Sequence, residues 1–535
     1  MKKNSIQYAF IALFVMASGC SDFFNVNTDD MLDYTRYIDE ESEMYSGYIG
    51  IMAKVQQIGD KIIYLTDTRG ELLEPTRNTP NELYSIYNYE QDLTGNPYAD
   101  PAPYYDVIIG CNDYLLKLYE YKEQNLSSIN MEHYGGLVSS TLRVKAWVYL
   151  TLGKIYGEAI WLDDPLREKK DLSQFQVKDI DQIVTACKEL LDKGFDGVDG
   201  KQTMVWKEWI DPHTPTGESI YRYWDFVTPE YFALYAELSL WSGDYQTTVN
   251  LILGALNESF SKTTTDATVW MRNVRIGNSW GDLWNRQEPL PQENVSAILY
   301  DYSNNQTNSL LRHFGTEFPN EYLLAPSEAG RSRFSDPDFN PLGGATSDRR
   351  GNGTFALNSE GDWAIRKYRP NSSARPQAYQ DDVHIYIYRA GDLYFMLAEA
   401  LNNLGRHTEA SALINQGVNG YFPNGGVTWE GFTDAWTAVT PIGSRSYPDI
   451  GIRGSFALGV RPFSSDTREN DLAILDEMML EFACEGRIYP AMIRVAKRYN
   501  DYNIIADRVA PKYSNPDEIR DKILAGGYFI NWDLK

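Results

Sequence analysis

The chain has 535 residues, 43% of them hydrophobic and 23% charged, which supplies a large core and is too apolar for a disordered chain. Acidic residues outnumber basic ones, 74 against 49, giving a formal net charge of −25 with no basic stripe. That balance argues against nucleic acid and anionic lipid as partners.

The first residues, MKKNSIQYAFIALFVMASGC, combine a basic start (Lys2, Lys3), an apolar run of about a dozen residues and the small residues Ala17, Ser18 and Gly19 directly before Cys20. The run is shorter than the roughly 20 residues a membrane span needs. A cysteine in the first mature position resembles the lipobox of bacterial lipoproteins, so residues 1–19 are expected to be a removed signal and Cys20 to carry the acyl chains. Two or more acyl chains anchor a protein firmly.

Helical periodicity follows at about 36–58, 104–123, 133–160, 179–194, 385–404 and 470–498. Within it, YLTLGKIY places Tyr149, Leu152, Gly153 and Tyr156 at the spacing of a tetratricopeptide first helix, with Tyr in the Trp place. The stretches AELSLWSGDYQTTVNLI, with Gly243, and AEALNNLGRHTEASALIN, with Gly405 and Ala410, carry the matching inter-helix turns. Small residues there let two helices approach closely, and neither helix alone can bury its apolar face. The expected fold is mainly α, with tetratricopeptide-like helix pairs forming a scaffold.

Between these helices lies a region of different composition, 261–382, rich in Gly, Pro, Asn, Ser and Asp, with short strand-like pieces such as NVSAILY. A second such stretch runs over about 419–469. The expected organisation is 20–260 as an N-terminal helical region, 261–382 as a loop-rich inserted subdomain with short strands, and 383–535 as the completion of the scaffold. Loops this long are usually functional.

Chemistry-bearing motifs are few. Cys111, Cys187 and Cys484 are widely spaced in apolar helical contexts and read as core residues. The sequence has no HExxH, GxSxG or GxxxxGK, and its five histidines are scattered. DPDFNP (336–341) starts like a calcium loop but has Pro341 where Gly belongs and Ser347 where the bidentate Glu belongs, so it reads as a turn. No cofactor is expected.

LDEMMLEFACEGRIY (475–489) sets Glu477, Glu481 and Glu485 four residues apart on a strongly apolar helical pattern. Glu485 falls inside the arc of Ile474, Met478 and Phe482, where a carboxylate must be paired. A glycosidase needs its two carboxyls flanking the sugar from opposite sides, whereas these project from one side of one helix. The three glutamates therefore read as structural.

In order along the chain, CSDFFNV after the lipobox, Tyr105-Ile108-Cys111-Asn112, YLTLGKIYG, ENVSAILY, SDRRG followed by RKY, RAGDLYFMLAEALNNLG and the glutamate helix resemble the SusD/RagB family of outer-membrane nutrient-binding lipoproteins. Departures are Met478, where the family usually has Arg, and Ala491, where it has Asp. The resemblance implies no catalysis, an outer-membrane, lipid-anchored location facing the exterior, and a surface that offers glycans to a SusC-like TonB-dependent transporter. Peptide uptake on the same fold, or glycan breakdown, are the alternatives.

Sugar rings lie on aromatic faces while their hydroxyls take amides, carboxylates and guanidinium groups. Aromatics in polar loops are thus the expected contacts: Trp270, Trp280 and Trp284 in WMRNVRIGNSWGDLWNRQ, and Tyr89, Asn96 and Tyr98 in NYEQDLTGNPYAD. The latter precede the Tyr105 helix, where the resemblance places part of a starch site. Arg77 and Asp67 in the preceding loops complete the candidate set.

Overall fold

The computed structural model describes residues 38–163, 165, 174–204, 227–261, 269–285, 289–369, 379–438, 440–442 and 445–532. The expected lipidation site, Cys20, lies outside them. Helices of seven residues or more are numbered α1 Glu41–Val55, α2 Gly59–Arg69, α3 Asn81–Tyr87, α4 Ala102–Gln124, α5 Met131–Tyr156, α6 Ile180–Lys193, α7 Tyr231–Trp241, α8 Tyr245–Ser261, α9 Ala390–Asn403, α10 His407–Ile414, α11 Thr467–Glu481, α12 Ile488–Tyr499, α13 Asn503–Val509 and α14 Pro516–Lys522.

Helix pairs form the scaffold because single amphipathic helices leave an apolar stripe uncovered. α4 packs on α5, α5 on α6, α7 on α8 and α9 on α10, and contacts between α6 and α7 and between α8 and α9 join the pairs. Gly153 supplies the close approach of α5 and α6: a Cβ there would stand 2.4 Å from Ile180 Cδ1. Gly243 and Gly405, at φ 75° and 77°, make the turns of the next two pairs in a conformation that favours glycine. α6 begins at a capping box in which the Asp179 carboxylate accepts from Gln182 N at 2.9 Å.

Strands are short and lie in two-stranded ladders. β1 Leu73–Pro75 pairs with β5 Leu324–Pro326, β2 Glu158–Ile160 with β3 Val177–Asp179, β4 Asn294–Ile298 with β8 Ile385–Arg389, and β6 Phe355–Leu357 with β7 Trp363–Ile365, all antiparallel. A further ladder joins Thr440–Ile442 to Arg445–Tyr447. The molecule is mainly α with short inserted strands, and one apolar cluster, from Met44 to Ile530, runs through both the helices and the loop region. Among the described residues no helix is long and apolar enough to cross a membrane.

Two helical expectations are corrected. Residues 385–389 are not helical: the fully buried run IYIYR pairs with β4, and α9 starts only where the Asp392 carboxylate accepts from Arg389 N at 2.8 Å. Likewise 470–498 is two helices, since α11 stops at Glu481 and α12 starts at Ile488. Cys484 and Gly486 adopt φ 64° and 73° in the break. Glu485 therefore sits in a turn, not on the helix carrying Glu477 and Glu481.

Gly486 is required there twice over. Its backbone is left-handed, and an added Cβ would lie 3.1 Å from Ile63 Cα and 3.2 Å from Ile62 O on α2. Gly243 shares the left-handed backbone but faces open space. Gly486→Ala is expected to cost at least about 1 kcal/mol more than Gly243→Ala, the excess being the crowding, as measured by urea denaturation. Equal costs would show that α2 yields freely at this point.

Candidate functional site

Glu477 and Glu481 of α11 and Glu485 in the turn after it are buried, and each carboxylate meets several cations. Glu477 takes Arg350 Nη2 at 2.8 Å, Arg461 Nε at 2.8 Å and the Arg453 guanidinium. Glu481 takes Arg272 Nη2 and Arg389 Nη1, each at 2.9 Å, and Arg350 Nη1 at 3.2 Å. Glu485 takes Arg389 Nε at 2.8 Å and Lys367 Nζ at 2.9 Å. Glu293 and Asp348 complete the cluster, on Arg272 and Arg389 and on Arg350 respectively.

Burial alone would raise these carboxyls, but the surrounding guanidinium groups outweigh it. Glu477 is held far below the ordinary range, Glu481 falls to about 2 under Arg272, Arg389 and Arg350, and Glu485 is lowered by Arg389 and Lys367. A carboxylate so held is ionised and buried among cations, with no proton to give and no side open to substrate.

Trp280 and Trp284, expected as open platforms, are instead core residues, each 2% exposed. They pack edge to face at 5.1 Å. The Lys367 ammonium lies 4.1 Å from the Trp284 ring centroid, and the Arg389 guanidinium 5.3 Å from that of Trp280. The rings wall the ionic cluster, where cation–π contact replaces lost hydration. Trp270 is partly buried, with its indole N–H on Asn294 O at 3.0 Å and its ring 5.6 Å from Phe232 of α7.

Asp67 and Tyr89 are also buried, so they underlie a surface and do not form it. Asp67 Oδ2 accepts from Gly486 N at 3.0 Å, and burial pushes its carboxyl up to about 7. Tyr89 lies beneath the Arg69 guanidinium, 4.2 Å from its ring centroid. Asn96 is buried too: its amide donates to Glu82 O at 2.6 Å, and its Oδ1 accepts from Tyr98 N at 3.0 Å, fixing Tyr98 beside α3.

Tyr98 and Arg77 do reach a common surface. Pairing of β1 with β5 sets the 76–80 loop against 316–323, where Asn78 Nδ2 donates to Glu321 O at 2.9 Å and Thr76 N to Leu323 O at 3.2 Å. Arg77 makes a two-pronged contact with Asp362 at 3.1 and 3.2 Å, tying in the β6–β7 hairpin. Tyr98 is half-buried, edge-on to Tyr64 at 5.9 Å and 6.1 Å from His313. Burial and then Glu321 raise its hydroxyl above the ordinary value.

Two features of this face escaped sequence reasoning. Phe318 is 95% exposed at the tip of the 315–322 turn, which is closed by Asn320 N on Glu317 O at 2.9 Å and Glu321 N on Arg312 O at 2.8 Å. Arg312 and Glu321, both exposed, pair at 3.4 Å beside it. An isolated Phe within a polar EFPNE run was the available signal.

The floor of the face is held by the end of the chain. Lys512 Nζ donates to Thr68 O at 2.7 Å, Leu73 O at 2.9 Å and Gly70 O, all around the C-terminus of α2. Arg69 reaches Gly527 O and Phe529 O, Tyr513 Oη donates to Tyr87 O at 2.7 Å, Lys522 Nζ to Asn88 O at 3.0 Å, and Asn531 Nδ2 to Gln91 O at 3.2 Å.

DPDFNP is a turn drawn inward. Asn340 is buried, donating to Asp348 Oδ2 at 2.9 Å and accepting from Arg453 Nη1 at 3.1 Å. Among the described residues no group of three or more His, Cys, Asp or Glu is placed to hold a metal ion. Cys111, Cys187 and Cys484 are buried and unbridged.

A scaffold of tetratricopeptide-like pairs displaying a loop-built face is a SusD-type fold. Residues 297–525 match the sequence profile of the SusD family. No curated protein matches it. Among solved structures, a SusD superfamily protein from Bacteroides vulgatus is 14% identical, with a TM-score of 0.63 over 92% of this chain and 95% of that one. One from Bacteroides thetaiotaomicron is 14% identical, with a TM-score of 0.60 over 91% and 94%. A laminarin-binding SusD-like protein is 13% identical, with a TM-score of 0.56 over 91% and 98%. At such identities these three establish likeness of fold.

The ionic cluster sets a pH signature. Glu481 drops from an ordinary 4.5 to about 2 on folding, so its contribution is complete above pH 4.5 and is lost as pH falls toward 2. Glu481→Gln strands buried guanidinium groups and is expected to cost about 3–5 kcal/mol at neutral pH. In urea titrations the gap between wild type and variant should be widest at pH 7 and shrink below pH 4.5. A pH-independent gap would mean that Glu481 is not ionised in the fold.

Proposed function

We propose that this chain is a cell-surface lipoprotein that captures oligo- or polysaccharide and delivers it to a SusC-like TonB-dependent outer-membrane transporter. The observation that carries the reading is the face formed by Tyr98, Phe318, Arg312, Glu321 and Arg77. It sets open aromatic surface beside guanidinium and carboxylate groups, the combination that a sugar's C–H faces and hydroxyls require. The match of residues 297–525 to the SusD family and the likeness in fold to a laminarin-binding SusD-like protein support it. A non-catalytic role is supported by Glu477, Glu481 and Glu485, each locked in buried ion pairs.

Ring stacking on ligand adds affinity but little to the core, so exposed and buried rings should separate cleanly. Against a panel of laminarin, amylopectin, inulin, xylan and levan, with a peptide mixture as comparison, Phe318→Ala and Tyr98→Ala are expected to weaken the best glycan at least about tenfold, about 1.4 kcal/mol. Phe318→Ala should leave the melting temperature unchanged. Trp284→Ala should lower stability by about 3–5 kcal/mol instead. Glycan affinity unchanged in both face variants, or binding of peptides alone, would refute the assignment.

Anchoring through Cys20 is part of the same proposal. Cys20→Ser should abolish lipid labelling and release the protein from outer-membrane fractions. A variant still labelled and retained at the normal level would place the anchor elsewhere.

A further inference from the structure

A second aromatic surface stands apart from that face, on the 417–438 segment. The stretch GYFPNGGVTWEGFTDAW puts Tyr421, Phe422, Trp429, Phe432 and Trp436 close together in sequence, and the structure divides them into a root and a tip. Trp436 is fully buried, with its ring 4.6 Å from Phe260 of α8 and its indole N–H on Asn257 Oδ1 at 2.7 Å. Phe432 packs on Trp436 at 5.0 Å. Those rings are core.

Tyr421 and Trp429 are not. Tyr421 is 46% exposed and Trp429 is partly exposed, their ring centroids 5.2 Å apart and tilted by 55°. Trp429 is braced from below by Phe422 at 5.1 Å and Phe432 at 5.7 Å. The backbone beneath them is fixed: Asn257 Nδ2 donates to Gly431 O at 2.8 Å, Arg406 Nη2 to Glu430 O at 2.7 Å and Gly425 N to Phe422 O at 3.0 Å. Exposed Asn424 and Glu430 lie in the same segment.

Rigid rings held at a surface, with a carboxamide and a carboxylate in the same segment, present carbohydrate-recognition chemistry. Size argues against a protein partner, because a stable protein interface covers about 800 Å² on each side, far more than two side chains offer. We infer that Tyr421 and Trp429 form a second carbohydrate contact, separate from the Tyr98–Phe318 face, which engages another part of the same polymer. The face rests on α2 and residues 510–531, whereas this patch rests on α8 and the turn between α9 and α10. Two contacts on one chain act through effective concentration and raise affinity for long ligands by up to about 10²–10⁴-fold without helping short ones. The inference rests on the glycan-binding reading and narrows its substrate to extended polysaccharide.

The test compares the full chain with Tyr421→Ala/Trp429→Ala by affinity electrophoresis over laminarin, amylopectin, inulin, xylan and levan. Calorimetry with short oligosaccharides of whichever polymer retards the wild type accompanies it. The expected result is at least a tenfold loss for the polymer with oligosaccharide affinity unchanged. Undiminished polymer binding would overturn the inference, as would an equal loss for polymer and oligosaccharide. If no polymer retards the wild-type chain, the glycan reading itself falls and takes this inference with it; loss confined to the double variant's polymer binding separates the two cases.

Discussion

A carboxylate buried in protein must be neutralised by a partner or it destabilises the fold by several kcal/mol, and α11 carries a column of them. The cations come from distant parts of the sequence: Arg272 before β4, Arg350 before β6, Arg389 at the end of β8, and Arg453 and Arg461 from the second loop region, while Lys367 after β7 meets Glu485 in the turn that follows α11. Each of these segments is loop-rich and could not build a core alone. The charge requirement of one helix and the turn that follows it brings them together.

The network also extends outward to the candidate face. Arg461 meets Asp476 at 3.5 Å, Arg508 bridges Asp476 and Glu71, and Glu71 also takes Arg333. Glu71 lies between α2 and β1, immediately before the strand that aligns the 76–80 loop with 316–323. The same electrostatic requirement thus reaches from the centre of the molecule to the base of the surface that carries Arg77 and Phe318.

What the sequence made legible follows from the range of the interactions concerned. Helix pairing was readable because Gly153, Gly243 and Gly405 act within a turn or on the next helix, whereas the apolar arc that called for a partner to Glu485 ends before it, since the helix stops at Glu481. The run IYIYR was misassigned because a short, continuously apolar segment has no period that separates strand from buried helix. Trp280 and Trp284 have polar neighbours in sequence, yet the groups that cover them, Lys367 and Arg389, lie about a hundred residues away in the chain. Polarity of neighbours reports exposure only when the neighbours in sequence are also the neighbours in space. Phe318 is the converse case, a ring left open because its turn closes on its own backbone.

The floor beneath Tyr87, Asn88 and Gln91 is made by residues 513, 522 and 531, and the carbonyls around the end of α2 are gathered by Lys512. Residues near the start of the described chain are therefore finished by residues near its end. In the order in which a polypeptide emerges, the helix pairs can assemble progressively, but the candidate face cannot close until the last segment arrives. A chain cut short before residue 510 would therefore keep the residues of its helix pairs while lacking the groups that hold Tyr87, Asn88 and Gln91 in place.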